Sequence, residues 1–172
     1  MKILYVCHNN KGRSIALTEY TKYFLRKRNI NDIKIESAGI DLENIMSLRK
    51  KDIDKASRTI IQIMAEQGFD ISSHKIKYIE EVINHSDLII PTDMLTMGKI
   101  CAEYPKYYEI CVLAREVAVY SSELDILGPC HESRRDPKDK NWTEKKGYIH
   151  MLAEIKNISR RIVKNIAEEI YL

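Results

Sequence analysis

The sequence predicts an α/β fold in which a parallel sheet is covered by helices on both faces. Three observations predict it. Short β-branched or aromatic runs alternate with longer amphipathic ones along the chain. No Pro/Gly linker, internal repeat or low-complexity tract interrupts that alternation. At 172 residues, with 44% apolar and 31% charged side chains, the chain is long enough for one well-buried domain and too short for two ordinary ones.

The first strand is read at Lys2–Val6, a short apolar run that ends at Cys7. A helix is expected over Ser14–Arg28, where Ala16, Leu17, Tyr20, Tyr23 and Phe24 form a helical stripe. Ile33–Ser37 reads as the second strand. Ala56–Gln67 follows as a helix, with Ile60, Ile63 and Met64 on one face and Gly68 as its stop signal. A short helix is expected at Ile79–Asn84, a third strand at Leu88–Pro91 and another helix at Leu95–Glu103. The fourth strand is placed at Glu109–Leu113. Thr143–Tyr171 then forms one long helix, because Ile149, Leu152, Ile155, Ile158, Ile162, Ile166 and Ile170 keep a three-to-four spacing.

Composition removes several function classes. A net charge of +3, with cations and carboxylates interleaved, gives no basis for nucleic-acid binding. No apolar segment approaches the roughly eighteen residues that a membrane span needs. Met1-Lys2 runs straight into a strand without a leader-like pattern, so a cytoplasmic location is expected. Cys7, Cys101, Cys111 and Cys130 lack paired spacing, which predicts free thiols and no metal site.

Chemistry concentrates in Cys7-His8-Asn9-Asn10-Lys11-Gly12-Arg13-Ser14. In a parallel α/β sheet, ligands bind beyond the carboxyl ends of the strands, and Cys7 ends the first one. The loop amides and the positive end of the next helix dipole converge there on an anion, a thiolate included. Arg13 adds a planar fork that matches two oxygens of a tetrahedral oxyanion. A nucleotide-binding P-loop is excluded, since its first glycine is missing and arginine follows Gly12 where lysine belongs. A second candidate is Asp136-Pro137. It suits a proton donor to a leaving group, and equally a plain turn.

Taken in order, Cys7-x5-Arg13-Ser14, Ser37-Ala38-Gly39, Ile71-Ser72-Ser73-His74, Ser86-Asp87-Leu88-Ile89-Ile90 and Asp136-Pro137 resemble the low-molecular-weight protein tyrosine phosphatase family over nearly the whole chain. The resemblance implies one such domain over residues 1–172. Its fold would be a four-stranded parallel sheet with helices on both faces, a Rossmann-like three-layer arrangement with a phosphate-binding loop after the first strand. It implies a phosphomonoester hydrolase that needs no cofactor and works through a phosphocysteine. Cys7 would be the nucleophile, Arg13 the phosphate clamp and Asp136 the general acid. His8, Asn9, Asn10, Lys11 and Gly12 would complete the substrate-binding loop, and Ser14 would donate a hydrogen bond to the thiolate. Ser37 and His74 would support the loop through a polar network around Asn10. Ionised Cys7 and protonated Asp136 together would place the activity optimum at mildly acidic pH.

Four departures from the family pattern matter. Asn9 stands where glycine is usual, and asparagine is the next best residue for a left-handed backbone. Gly12 replaces a second cysteine that traps the nucleophile in a reversible disulfide, and Ile15 stands where proline is common. Lys11 takes a normally apolar or threonine position. With Arg134, Arg135, Lys138 and Lys140 it predicts a basic mouth with Trp142 as its one aromatic wall, and so acidic phosphoproteins or small phosphate esters rather than phosphoarginine as partners. The protein is expected to act as a monomer. Two rivals share the loop: an arsenate reductase-like thiol redox enzyme, whose relay spacing Cys101 and Cys111 do not match, and a non-catalytic phosphate-binding regulatory module.

Overall fold

The computed structural model describes residues 1–40, 57–118, 125–128 and 143–168. Three strands, β1 (Lys2–Cys7), β2 (Lys34–Gly39) and β3 (Leu88–Pro91), form one parallel sheet in the order β2-β1-β3. Lys2 pairs with Lys34 and Cys7 with Gly39 on one side of β1; Ile3 pairs with Leu88 and Val6 with Pro91 on the other. The helices are α1 (Arg13–Lys27), α2 (Arg58–Glu66), α3 (Ile79–Val82), α4 (Met94–Glu103), α5 (Ala114–Val117) and α6 (Glu144–Ala167).

The central strand sorts its side chains by the period of two that a strand imposes. Ile3 and Tyr5 enter a core built with α1, α2 and α6, through Leu17, Ile60, Ile155 and Ile158. Leu4 and Val6 enter the opposite core with Ile79 and Val82 of α3 and Ile100 of α4. Helices therefore cover both faces, as expected. Tyr5 is fully buried, and its hydroxyl meets Thr21 Oγ1 at 2.8 Å, which removes most of the cost of burying it. Among the described residues, no helix is long and apolar enough to cross a membrane.

Among the described residues the sheet has three strands, not the expected four. Residues Pro105–Ile110 form a 3₁₀ helix, and the fourth strand shrinks to a single parallel bridge between Cys111 and Ile89. Pro105 at the first turn fixes a helical φ. The amides of Tyr107 and Cys111 then bond back to Tyr104 and Tyr108. Past the bridge, the Leu113 amide donates to Glu116 Oε2 at 3.0 Å and opens α5. The Val112 amide still reaches the Ile89 carbonyl of β3 at 3.0 Å, but the helical turns on either side end the pairing there. The apolar alternation of Glu109–Leu113 could not show that.

Along α6 the apolar stripe sits one step off its expected start. Ile149 is 44% exposed, and Met151 fills the buried position beside Leu152. The buried set Met151, Leu152, Ile155, Ile158, Ile162 and Ile166 still holds the helical spacing. Ile170 lies outside the described residues. Thr143 caps the helix, its hydroxyl accepting from the Lys146 amide at 3.3 Å.

Candidate active site

Strand β1 delivers Cys7 to the carboxyl edge of the sheet, and the chain turns through residues 8–12 into α1. Gly12 precedes the helix and Arg13 is its first residue. Cys7 is 3% exposed, with Sγ 3.0 Å from Ser14 Oγ. A thiolate can only accept, so in that form of Cys7 the Ser14 hydroxyl is the donor. Ile15, in place of proline, buries its side chain in the core of a helix that is already running.

Asn10 is fully buried and uses its whole amide to shape the loop. Its Nδ2 donates to Ser14 Oγ at 2.9 Å and to Ser37 Oγ at 3.0 Å. Its Oδ1 accepts from the Lys77 amide at 3.0 Å and lies 3.0 Å from His74 Nε2. The Lys77 amide can only donate, which fixes Oδ1 as the oxygen and makes Nε2 the protonated nitrogen of a neutral His74. Burial lowers the His74 pKa below its ordinary value, and the nearby Lys77 charge lowers it further. The neutral ring is the form this network uses.

Backbone geometry explains two sequence choices. The left-handed residue of the loop is Asn10, at φ 49°, and not Asn9. Asn9 therefore needs no glycine-like freedom, and its Oδ1 is buried without a partner. Gly39, by contrast, has no room for a side chain. A Cβ there would come within 3.0 Å of Asn10 N, Asn9 C and His8 O. Strand β2 touches the loop backbone directly, and only glycine permits that approach.

Arg13 reaches across the mouth of the site. Its Nη1 donates to Asp93 Oδ2 at 2.5 Å and to the Ile126 carbonyl at 2.9 Å. Asp93 also caps α4, Oδ1 accepting from the Thr96 amide at 2.7 Å and Oδ2 from Thr92 Oγ1 at 3.0 Å. Burial alone would raise the Asp93 pKa, but the Arg13 charge and these hydrogen bonds hold its carboxyl below the usual carboxylate range. Asp125 Oδ1 accepts from the Met94 amide at 2.7 Å, so residues 125–128 are tied to the start of α4. A cavity of about 420 Å³ opens here, walled by His8, Asn9, Arg13, Asp93, Asp125 and Leu127 among others.

The structure thus brings together Cys7, Asn10, Arg13, Ser14, Ser37 and His74, with His8 and Asn9 on the cavity wall. Lys11 is not on that wall. Its carbonyl accepts from the Ser57 amide at 3.1 Å. Asp136, Pro137, Arg134, Arg135, Lys138, Lys140, Trp142 and Cys130 lie outside the described residues.

Sequence reasoning missed Asp93 and the Ile126 carbonyl. Thr92-Asp93, placed between a strand and a helix, carried the signal of a capping residue at the ligand edge of the sheet. A backbone carbonyl far along the chain leaves no such trace. Cys101 and Cys111 contact each other, and burial, with Cys101 beside it, pushes the Cys111 thiol up to about 12. That suits a core thiol and not a relay nucleophile.

The family model for low molecular weight phosphotyrosine protein phosphatase matches residues 2–171. A search of curated proteins by sequence finds no match. Among solved structures, a YwlE mutant from Bacillus subtilis superposes with a TM-score of 0.76 at 18% identity, covering 97% of this chain and 99% of that one. A low molecular weight protein tyrosine phosphatase from Bacillus subtilis gives 0.75 at 18% identity, with 99% of each chain covered. The YwlE arginine phosphatase from Geobacillus stearothermophilus gives 0.72 at 16% identity, covering 98% of this chain and 94% of that one. At such identities the superpositions speak for the fold, while the family model spans almost every residue, and the chain belongs to the low molecular weight phosphotyrosine protein phosphatase family.

Proposed function

We propose that this phosphatase acts through a phosphocysteine on Cys7, with phosphotyrosine in proteins as its substrate. The observation that carries the reading is the pairing of Cys7 with Ser14 at 3.0 Å, beneath a loop braced by Asn10 and opening beside Arg13. The Cys7 sulfur attacks phosphorus in line while the ester oxygen leaves from the opposite side. Arg13, held by Asp93 through Nη1, offers its other guanidinium N–H groups to the equatorial oxygens, joined by the loop amides, so that charge is met by donors already in place. Asp136 protonates the leaving oxygen, then takes a proton from the water that splits the S–P bond and releases phosphate. Ser14 stabilises the sulfur as it leaves.

A second reading, phosphoarginine as substrate, is favoured by one observation. The described rim carries the Asp125 carboxylate beside the Asp93–Arg13 pair. A guanidinium leaving group suits that carboxylate better than an acidic substrate does.

Hydrolysis of an aryl phosphate tests the chemistry. Cys7→Ser is expected to lose nearly all turnover, and Asp136→Ala to lose rate most for poor leaving groups. Undiminished turnover in Cys7→Ser would overturn the mechanism. Phosphotyrosine and phosphoarginine peptides compared side by side decide between the two substrates.

A further inference from the structure

A second cavity, of about 600 Å³, opens between the end of α1, the end of α5 and the last turns of α6. Arg28, Arg160, Arg161 and Lys164 line it, against a single carboxylate, Glu168. Four cations and one carboxylate make this lining basic. The excess is local.

Helix dipoles account for only part of it. Cations favour a helix C-terminus, but the effect fades beyond the last turn. Arg28 follows α1, and Lys164 sits in the last turn of α6, where it also pairs with Glu168 at 3.8 Å. Arg160 and Arg161 lie about two turns before the end of α6, too far to serve that purpose. Arg28 and Arg160 have no acidic partner among the described residues. Asn165 closes the cavity wall, its buried amide donating to the Val117 carbonyl at 2.7 Å.

We propose that this cavity binds a small oligophosphate, a ligand with two or more linked phosphate groups. Planar guanidinium forks match phosphate oxygens, and two or more linked phosphates offer oxygens to the cations of both α1 and α6. The cavity lies in the size range of small-molecule sites. It shares no residue with the phosphatase site, so the proposal stands apart from that reading.

Calorimetric titration with tripolyphosphate tests it, in an Arg13→Ala background that weakens anion binding at the phosphatase loop. One tripolyphosphate per chain is expected, with affinity falling as salt rises. Adding Arg28→Glu and Arg160→Glu weakens it by about tenfold or more, as lost charge-assisted bonds require. Lys75→Glu with Lys106→Glu, the same charge change elsewhere, leaves it within a factor of about two. The two arginines are exposed, so the reversed variant keeps its fold and, with Arg13 restored, its aryl phosphate turnover. No binding, an equal loss in both charge-reversed pairs, or no loss in the arginine pair would overturn the proposal.

Discussion

Arg13 and Asp93, eighty residues apart in sequence, meet at 2.5 Å, and each is the first polar group at a helix start facing the same cavity. The pair sets two demands on Asp93. It caps α4 and it holds the arginine that must grip phosphate.

Substitution separates these two demands. Asp93→Asn retains an N-cap acceptor but loses the charge, so stability changes little while KM for an aryl phosphate rises severalfold. Asp93→Ala loses both and costs a further ~1 kcal/mol of stability. Thermal melts and steady-state kinetics on the two variants check this. Equal melting and equal KM in both would remove Asp93 from the account.

Gly39 carries the sharpest steric prediction. A methyl group there meets three backbone atoms of the loop at 3.0 Å, and backbone cannot swing aside as a side chain would. Gly39→Ala is expected to cost about 1–3 kcal/mol and to depress kcat along with stability. Gly98→Ala is the control, since nothing lies within 4 Å of its added Cβ.

Gly12 offers the opposite case. Its φ is negative, and an added Cβ would meet Ile60 Cδ1 at an ordinary 3.5 Å, so there is space for Gly12→Cys. Peroxide converts Cys7 to a sulfenic acid, which condenses with the new thiol to a disulfide and releases water. Wild-type enzyme treated with peroxide is expected to regain little activity with a dithiol, and the variant to regain most of it. Full recovery of the wild type would contradict the prediction.

The half-buried His74 predicts a pH dependence of stability. Its folded pKa lies below the ordinary 6.5, so the unfolded chain binds the proton more readily. Its contribution is whole above pH 6.5 and is lost as pH falls through the lowered folded value. Melting temperature is expected to drop between pH 7.5 and 5.5 in the wild type, and to drop less in His74→Gln. An identical slope in both would place the titration elsewhere.

Much of this architecture was legible because it rests on local chemistry. The alternating apolar runs gave β1, β2 and β3 with their helices, and the loop from Cys7 to Ser14 announced an anion site by residue type alone. The fourth strand failed because apolar alternation carries no record of where amides bond, and the 3₁₀ turn opened by Pro105 and the start of α5 capped by Glu116 leave room for a single bridge. The left-handed backbone expected at Asn9 falls at Asn10, because two adjacent asparagines tolerate it equally. The Arg13 partners were hidden for a different reason. Asp93 and Ile126 reach the loop only through tertiary packing, and no spacing in the sequence encodes that.

The proposed function requires Cys7 to carry the phosphoryl group during turnover. Rapid quenching of the enzyme with an aryl phosphate, followed by mass analysis of the peptide bearing Cys7, tests it directly. A mass gain of one phosphoryl group on that peptide is expected, with none in Cys7→Ala, which also ceases to turn over. Sustained hydrolysis by Cys7→Ala with no phosphorylated peptide would contradict the claim.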